Sequence, residues 1–259
     1  MNSSLFISHG APNIILKNSL SKTNFESFSK RIKKPQYIII FSAHYLTKTL
    51  KVINYEKNSL LYDFYGFEKE LYEFKYEIKS DKDKTLNLIT YLEKRGIEVS
   101  IDKDKFTYDH GVWTALSMIY EKLNVPVIQL SIPTSYSYKQ LINLGETLQG
   151  LKEEALIIGS GGITHNLYDM QNGTTIKEYA KNFNKELINI INKGKEEQLL
   201  ALSKTTAFKQ NHPSHEHFLP LFIIFGSAKD KKGVSFNSEF FYSNISMESF
   251  YFDKEGLLC

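Results

Sequence analysis

The sequence predicts an α/β fold, a single layered domain over residues 1–259 in which helices flank a mainly parallel, or mixed, central sheet. Three observations carry this. Residues 37–42 (YIIIFS) form a continuous apolar run with three isoleucines, as expected of a strand buried on both faces. Segments of helical periodicity separate it from other such runs, the alternation of a layered α/β unit. The 259 residues contain no linker, repeat or low-complexity stretch, and one α/β domain can fill that length.

Taken in order, residues 5–8 (LFIS) read as a short first strand and 37–42 as the second. Residues 81–95 predict a helix with Leu86, Ile89 and Leu92 on one side and Gly96 as its stop. Residues 112–123 predict another, with Val112, Leu116, Ile119, Tyr120 and Leu123 at helical spacing. Asp109 stands where it would cap that helix, and Trp113, the one tryptophan, is expected in the core. Strands follow at 125–132 (VPVIQLSI) and 155–158 (ALII). Residues 176–192 predict a third helix, with Ile176, Tyr179, Ala180, Phe183, Leu187, Ile190 and Ile191 on one stripe. Thr175 and Glu178 have the spacing of a capping box, and Gly194 follows the helix end. Residues 239–252, rich in Phe, Tyr and Ser, read as two late strands, antiparallel at an edge.

Composition excludes several function classes. With 32 basic and 29 acidic residues the net charge is +3, which is no nucleic-acid footprint. Lys33 and Lys34 make only a short basic run, and Lys181, Lys185 and Lys193 are expected on the solvated side of the third helix. The apolar run 218–225 is too short to span a bilayer, and the opening MNSSLFISHGAP does not read as a signal peptide. The single cysteine, Cys259, permits neither an internal disulfide nor a CxxC metal knuckle, which suits a reducing, cytoplasmic compartment. A chain this long needs no structural metal in order to fold, so any bound ion is expected to be functional.

The seven histidines carry the chemistry. His9 follows LFIS, His44 follows YIIIFS, and His165 follows ALII through a glycine-rich turn formed by Gly159, Gly161 and Gly162. A lone loop histidine is most simply a surface group. Three at the ends of parallel strands are different, because such ends gather at one sheet edge, where α/β folds bind ligands. Imidazole is the commonest transition-metal ligand at neutral pH, so a metal site is the leading expectation. His110 precedes the second helix, and His212, His215 and His217 share the loop HPSHEH. Tyr62, Asp63 and Tyr65 form an aromatic loop for which packing and substrate contact are equally good accounts. A phosphate loop is disfavoured because Thr164 replaces the last glycine of GxGxxG. A serine hydrolase built on Ser160 lacks the GxSxG elbow, and a binding module would not need so many titratable groups at strand ends.

SHGAP, SAHY, YDFYGF, DHGVW, PVIQLSI, GSGGITHNL and HPSHEHFLPL occur in this order across residues 3–252. In this the sequence resembles the class III extradiol ring-cleavage dioxygenases, in their DOPA 4,5-dioxygenase-like branch. The resemblance implies metal ligands at His9, His44, His165 and His217, and a catalytic base among His110 and His165. More distant class III enzymes use two histidines and a glutamate, and Glu216 beside His217 offers that alternative. Glu68 replaces the proline of the usual DFYGFP, and His215 adds an imidazole to the last motif. The implied reaction opens a catechol with O2 on Fe(II). Zn(II) is expected as an occupant of the isolated protein, and a zinc hydrolase on the same histidines is the alternative. Catechol and O2 are the expected small-molecule partners, with no nucleic acid and no membrane, and a homo-oligomer is left open.

Overall fold

A computed structural model describes residues 2–56 and 58–258, so Cys259 lies outside the described residues. Eight strands form the main sheet: β1 (Ser4–Ser8), β2 (Tyr37–Thr47), β3 (Lys51–Val52), β4 (Ser100–Ile101), β5 (Val127–Pro133), β6 (Ala155–Gly161), β7 (Gly233–Asn237) and β8 (Ser249–Phe252). Their order is β4-β3-β5-β2-β6-β1-β8-β7. The middle four, β5, β2, β6 and β1, are parallel to one another and correspond to the four apolar runs expected as strands, with β5 starting two residues later than the expected 125–132. β8 and β7 add an antiparallel edge beyond β1, and β3 pairs antiparallel with β5 on the other side. The sheet is therefore mixed around a parallel centre.

Alternation explains the unbroken hydrophobicity of β2. Ile39 and Phe41 enter the core beneath the helices Tyr138–Leu148, Glu178–Lys193 and Leu219–Ser227, while Ile38 and Ile40 enter the core beneath Leu20–Ser29 and His110–Ile119. Both faces are covered, so every position from Tyr37 to Phe41 is apolar. Helix Leu219–Ser227 is buried along its whole length, which is why its sequence lacks an amphipathic stripe. It crosses Tyr138–Leu148 closely at two glycines. A methyl group at Gly145 would fall on the carbonyl of Ile223, and one at Gly226 on that of Ile142.

Several local expectations are corrected. Helix Lys82–Glu93 is capped by Asp81, whose side chain accepts from the Lys84 N–H at 2.8 Å. It buries Thr85, Leu88 and Leu92, and Leu86 faces solvent. The second predicted helix runs His110–Ile119, starting at His110 and stopping where Tyr120 turns extended. Asp109 holds its N-cap position, but the carboxylate turns into the sheet. It accepts from Ser42 Oγ at 2.5 Å and from Gln129 Nε2 at 2.6 Å in place of capping. The Thr175–Glu178 capping box does not form, because helix Glu178–Lys193 begins after Lys177 and Ile176 lies outside it, exposed. Gly194 closes that helix at φ 64°, a conformation that suits glycine, and Lys181, Lys185 and Lys193 are exposed. In the tail, Phe240–Phe241 and Ile245–Ser246 pair as a small hairpin, and the antiparallel edge is β8 with β7. Helix Tyr138–Leu148, with a true capping box at Ser137 and Gln140, was not among the predicted elements. Among the described residues no helix is long and apolar enough to cross a membrane.

Candidate metal centre

The parallel strands deliver their histidines to one edge. His9 follows β1 directly and is buried. His44 sits within β2 where the pairing with β5 shifts register, between Phe41 and Leu46. Such an irregularity re-aims a side chain that regular pleating would leave in the sheet face. β6 runs on to Gly161, so Gly159 and Gly161 are strand residues and the tight turn expected there is displaced. Their missing side chains serve another purpose. A methyl group at Gly161 would fall on the carbonyl oxygen of His217, and one at Gly159 would meet Ile224 and Pro220. The small strand end lets the His217 loop lie against the sheet, held by Gly162 N–H donating to His217 O at 2.9 Å.

The rings form one cluster. His9 Nε2 and His44 Nε2 are 3.2 Å apart. The His217 ring centre is 5.3 Å from that of His9 and 4.9 Å from that of His44. His110 lies 4.1 Å from His44, centre to centre, and His165 is stacked on His217 at 3.5 Å. Two donor groups stand out, each with nitrogen or oxygen ligand atoms within 4.8 Å of one another. One is His9, His44 and His110; the other is His165, Glu216 and His217. The structure thus brings together all five histidines singled out as ligands or catalytic groups, and Glu216. His212 and His215 stay apart. His212 is buried and donates from Nε2 to Ile163 O at 2.7 Å, while exposed His215 meets the Tyr138 hydroxyl.

Hydrogen bonds behind the rings fix which nitrogen faces the pocket. Ser160 Oγ donates its one proton to Gly111 O at 2.6 Å, so its 2.8 Å contact with His9 Nδ1 must be accepted from an Nδ1–H. The same bonds account for Ser160 as an orienting group and leave it no free hydroxyl for hydrolytic attack. The Glu216 carboxylate accepts from His217 Nδ1 at 3.0 Å, and Asp63 from His110 Nδ1 at 2.8 Å. Each leaves an Nε2 lone pair for the cluster, the arrangement in which acceptors behind a ligating histidine set its tautomer. Burial, with the neighbouring imidazoles, holds His9 and His217 well below the ordinary histidine range and His44 at about 4. Burial likewise brings His165 to about 4. At neutral pH these rings are uncharged donors, as metal binding requires. Nitrogens about 2.0–2.1 Å from one ion at tetrahedral angles lie about 3.3 Å apart, so the 3.2 Å His9–His44 separation fits a shared ion.

Asp63 and Ser160 could not be read from sequence as supports for the histidines, since each is distant in the chain from the ring it holds. Of the aromatic loop, Tyr62 packs and donates to Phe74 O at 2.5 Å, whereas Tyr65 is 91 % exposed. Trp113 is fully buried, as expected.

The chain resembles known proteins over most of its length. Residues 4–252 match the family model described as the catalytic LigB subunit of aromatic ring-opening dioxygenase. A 4,5-DOPA dioxygenase extradiol of Beta vulgaris is 35 % identical over 86 % of this chain and 85 % of its own length. One of Escherichia coli K12 is 28 % identical over 86 % and 84 % respectively. The crystal structure of an uncharacterized Escherichia coli K12 protein has the same fold, with a TM-score of 0.82, 24 % identity, and coverage of 98 % of this chain and 100 % of that one. The matched span takes in every strand of the main sheet and every histidine of the cluster, and the chain belongs to the LigB family of aromatic ring-opening dioxygenases.

Proposed function

We propose that this single domain is a metal-dependent extradiol dioxygenase that opens the ring of a catechol, DOPA or a related diol, placing both atoms of O2 in the product. The observation that carries the reading is the His9–His44 pair, two neutral Nε2 atoms 3.2 Å apart at the carboxyl ends of parallel strands in a LigB-family chain. His9, His44 and His217 would hold the ion. The flat stacking of His165 on His217 supports a place beside the ion, facing substrate, over a fourth bond. Bound Fe(II) would supply the electron sharing between diol and oxygen that zinc lacks.

The remaining work falls to the protein. A catechol must lose protons as it binds, and a positioned base assists this step. His110, at the first turn of its helix and 4.1 Å from His44 centre to centre, takes a hydroxyl proton at Nε2 and returns it to the ring-opened product. Phe64, edge-on to His110 at 5.8 Å, gives that side of the pocket an apolar wall on which an aromatic ring can rest. The family match favours this reading over a zinc hydrolase on the same histidines. The test is to strip the metal, restore Fe(II) or Zn(II) without air, and add a catechol panel with oxygen. Oxygen uptake and a coloured ring-opened product are expected with iron only. An iron-loaded protein that consumes no oxygen on any catechol refutes the reading.

A further inference from the structure

We infer that Asp63 is a positioning residue of the active site, fixing the proton of His110 on Nδ1 so that Nε2 alone faces the substrate. The inference rests on the reading of His110 as the proton-transfer group. Asp63 sits in the loop between the short strand Ser59–Leu60 and the helix Lys69–Tyr72, and its side chain, 24 % exposed, turns inward. One oxygen, Oδ1, accepts both from the backbone N–H of His110 at 3.0 Å and from its Nδ1 at 2.8 Å. The first bond ties the loop to the first residue of helix His110–Ile119. The second orients the ring about χ and selects its tautomer, since a carboxylate can only accept.

The carboxylate is held ionised for this task. Burial would raise its pKa, but the two hydrogen bonds from His110 hold it below the usual carboxylate range. Asp63 Oδ2 is 3.9 Å from His44 Nδ1, too long for a hydrogen bond, so the close contacts belong to His110. The loop is itself anchored. Leu61 N–H donates to Tyr108 O at 2.8 Å, Trp113 Nε1 donates to Leu61 O at 3.0 Å, and the Tyr62 hydroxyl reaches Phe74 O at 2.5 Å. Asp63 is therefore presented by a braced turn, two residues from a bond to the buried tryptophan. When His110 becomes an imidazolium in turnover, the same carboxylate stabilises it.

The experiment is a double-mutant cycle with Asp63→Ala and His110→Gln, read by metal content, kcat, KM and histidine tautomer. The tautomer is read by long-range proton–nitrogen NMR on the full chain, with Zn(II) as a diamagnetic probe and the His110 signals assigned by their loss in His110→Gln. Asp63→Ala is expected to keep its metal and KM and to lose roughly 10–100-fold in kcat, the usual cost of removing such a partner. His110 should show Nδ1–H in the parent and a tautomer mixture in the variant. Asp63→Asn, which keeps an acceptor oxygen, should recover part of the turnover. In the His110→Gln background Asp63→Ala should cost less than about 2-fold, because the two act as a unit. An additive loss, or an Nε2–H tautomer in the parent, overturns the role of Asp63 while leaving His110 in place. Full turnover in His110→Gln instead overturns the reading of His110 itself.

Discussion

Gly161→Ala should disable the site without touching any donor atom. Gly161 closes β6, and a Cβ built there falls on the carbonyl oxygen of His217, a backbone atom that cannot rotate aside. The overlap is roughly 1 Å relative to ordinary van der Waals contact, so the His217 segment must retreat by about that much. The retreat breaks the 2.9 Å bond from Gly162 N–H to His217 O and carries the His217 ring away from His9 and His44. A misplacement of about 1 Å at reacting groups costs on the order of 10²-fold in turnover. The strand itself is buried and paired on both sides, so the fold should survive with a lower Tm. The assay is metal content and oxygen uptake after iron reconstitution, with Gly173→Ala as the control, because nothing lies within 4 Å of a Cβ there. Parent-like metal content and turnover in Gly161→Ala would refute the claim that the small strand end seats His217.

His44→Ala should remove most bound metal, measured by elemental analysis, and leave the circular dichroism spectrum intact, since both cores are built without it; full occupancy would remove His44 from the ligand set. Glu248→Gln should change stability with a defined pH signature. Burial raises the Glu248 pKa above 4.5, against hydrogen bonds from Ser235, Ser238 and Asn184, so the folded chain holds a proton that the unfolded chain releases. That contribution is fully present below pH 4.5 and is lost as pH rises through the folded value. Urea unfolding of the metal-free proteins should show the variant gaining on the parent across that window, and a pH-independent difference would count against the assignment.

The parts of this molecule that sequence made legible are those whose cause is local. β2 announced itself because both its faces are covered, and Gly194 because a left-handed helix end suits glycine. The histidines were legible for a topological reason. His9 and His44 lie at the ends of apolar runs, and parallel strands must bring such ends to one edge. Helix Leu219–Ser227 was opaque because complete burial erases its periodicity, and β7 because it is an edge strand paired on one side alone, so its side chains are only partly buried. The carboxylates show the same division from the other side. Asp109 precedes a helix and reads as its cap, yet Ser42 and Gln129, 67 and 20 residues away in sequence, offer it closer donors inside the sheet. Asp63 reads as one polar residue in an aromatic loop, and only the fold reveals the His110 Nδ1–H that it accepts, 47 residues on. Ligands recruited by strand ends can be found from periodicity. The acceptors that orient them are chosen by side-chain geometry between unrelated segments, and that choice is made only when the layers close.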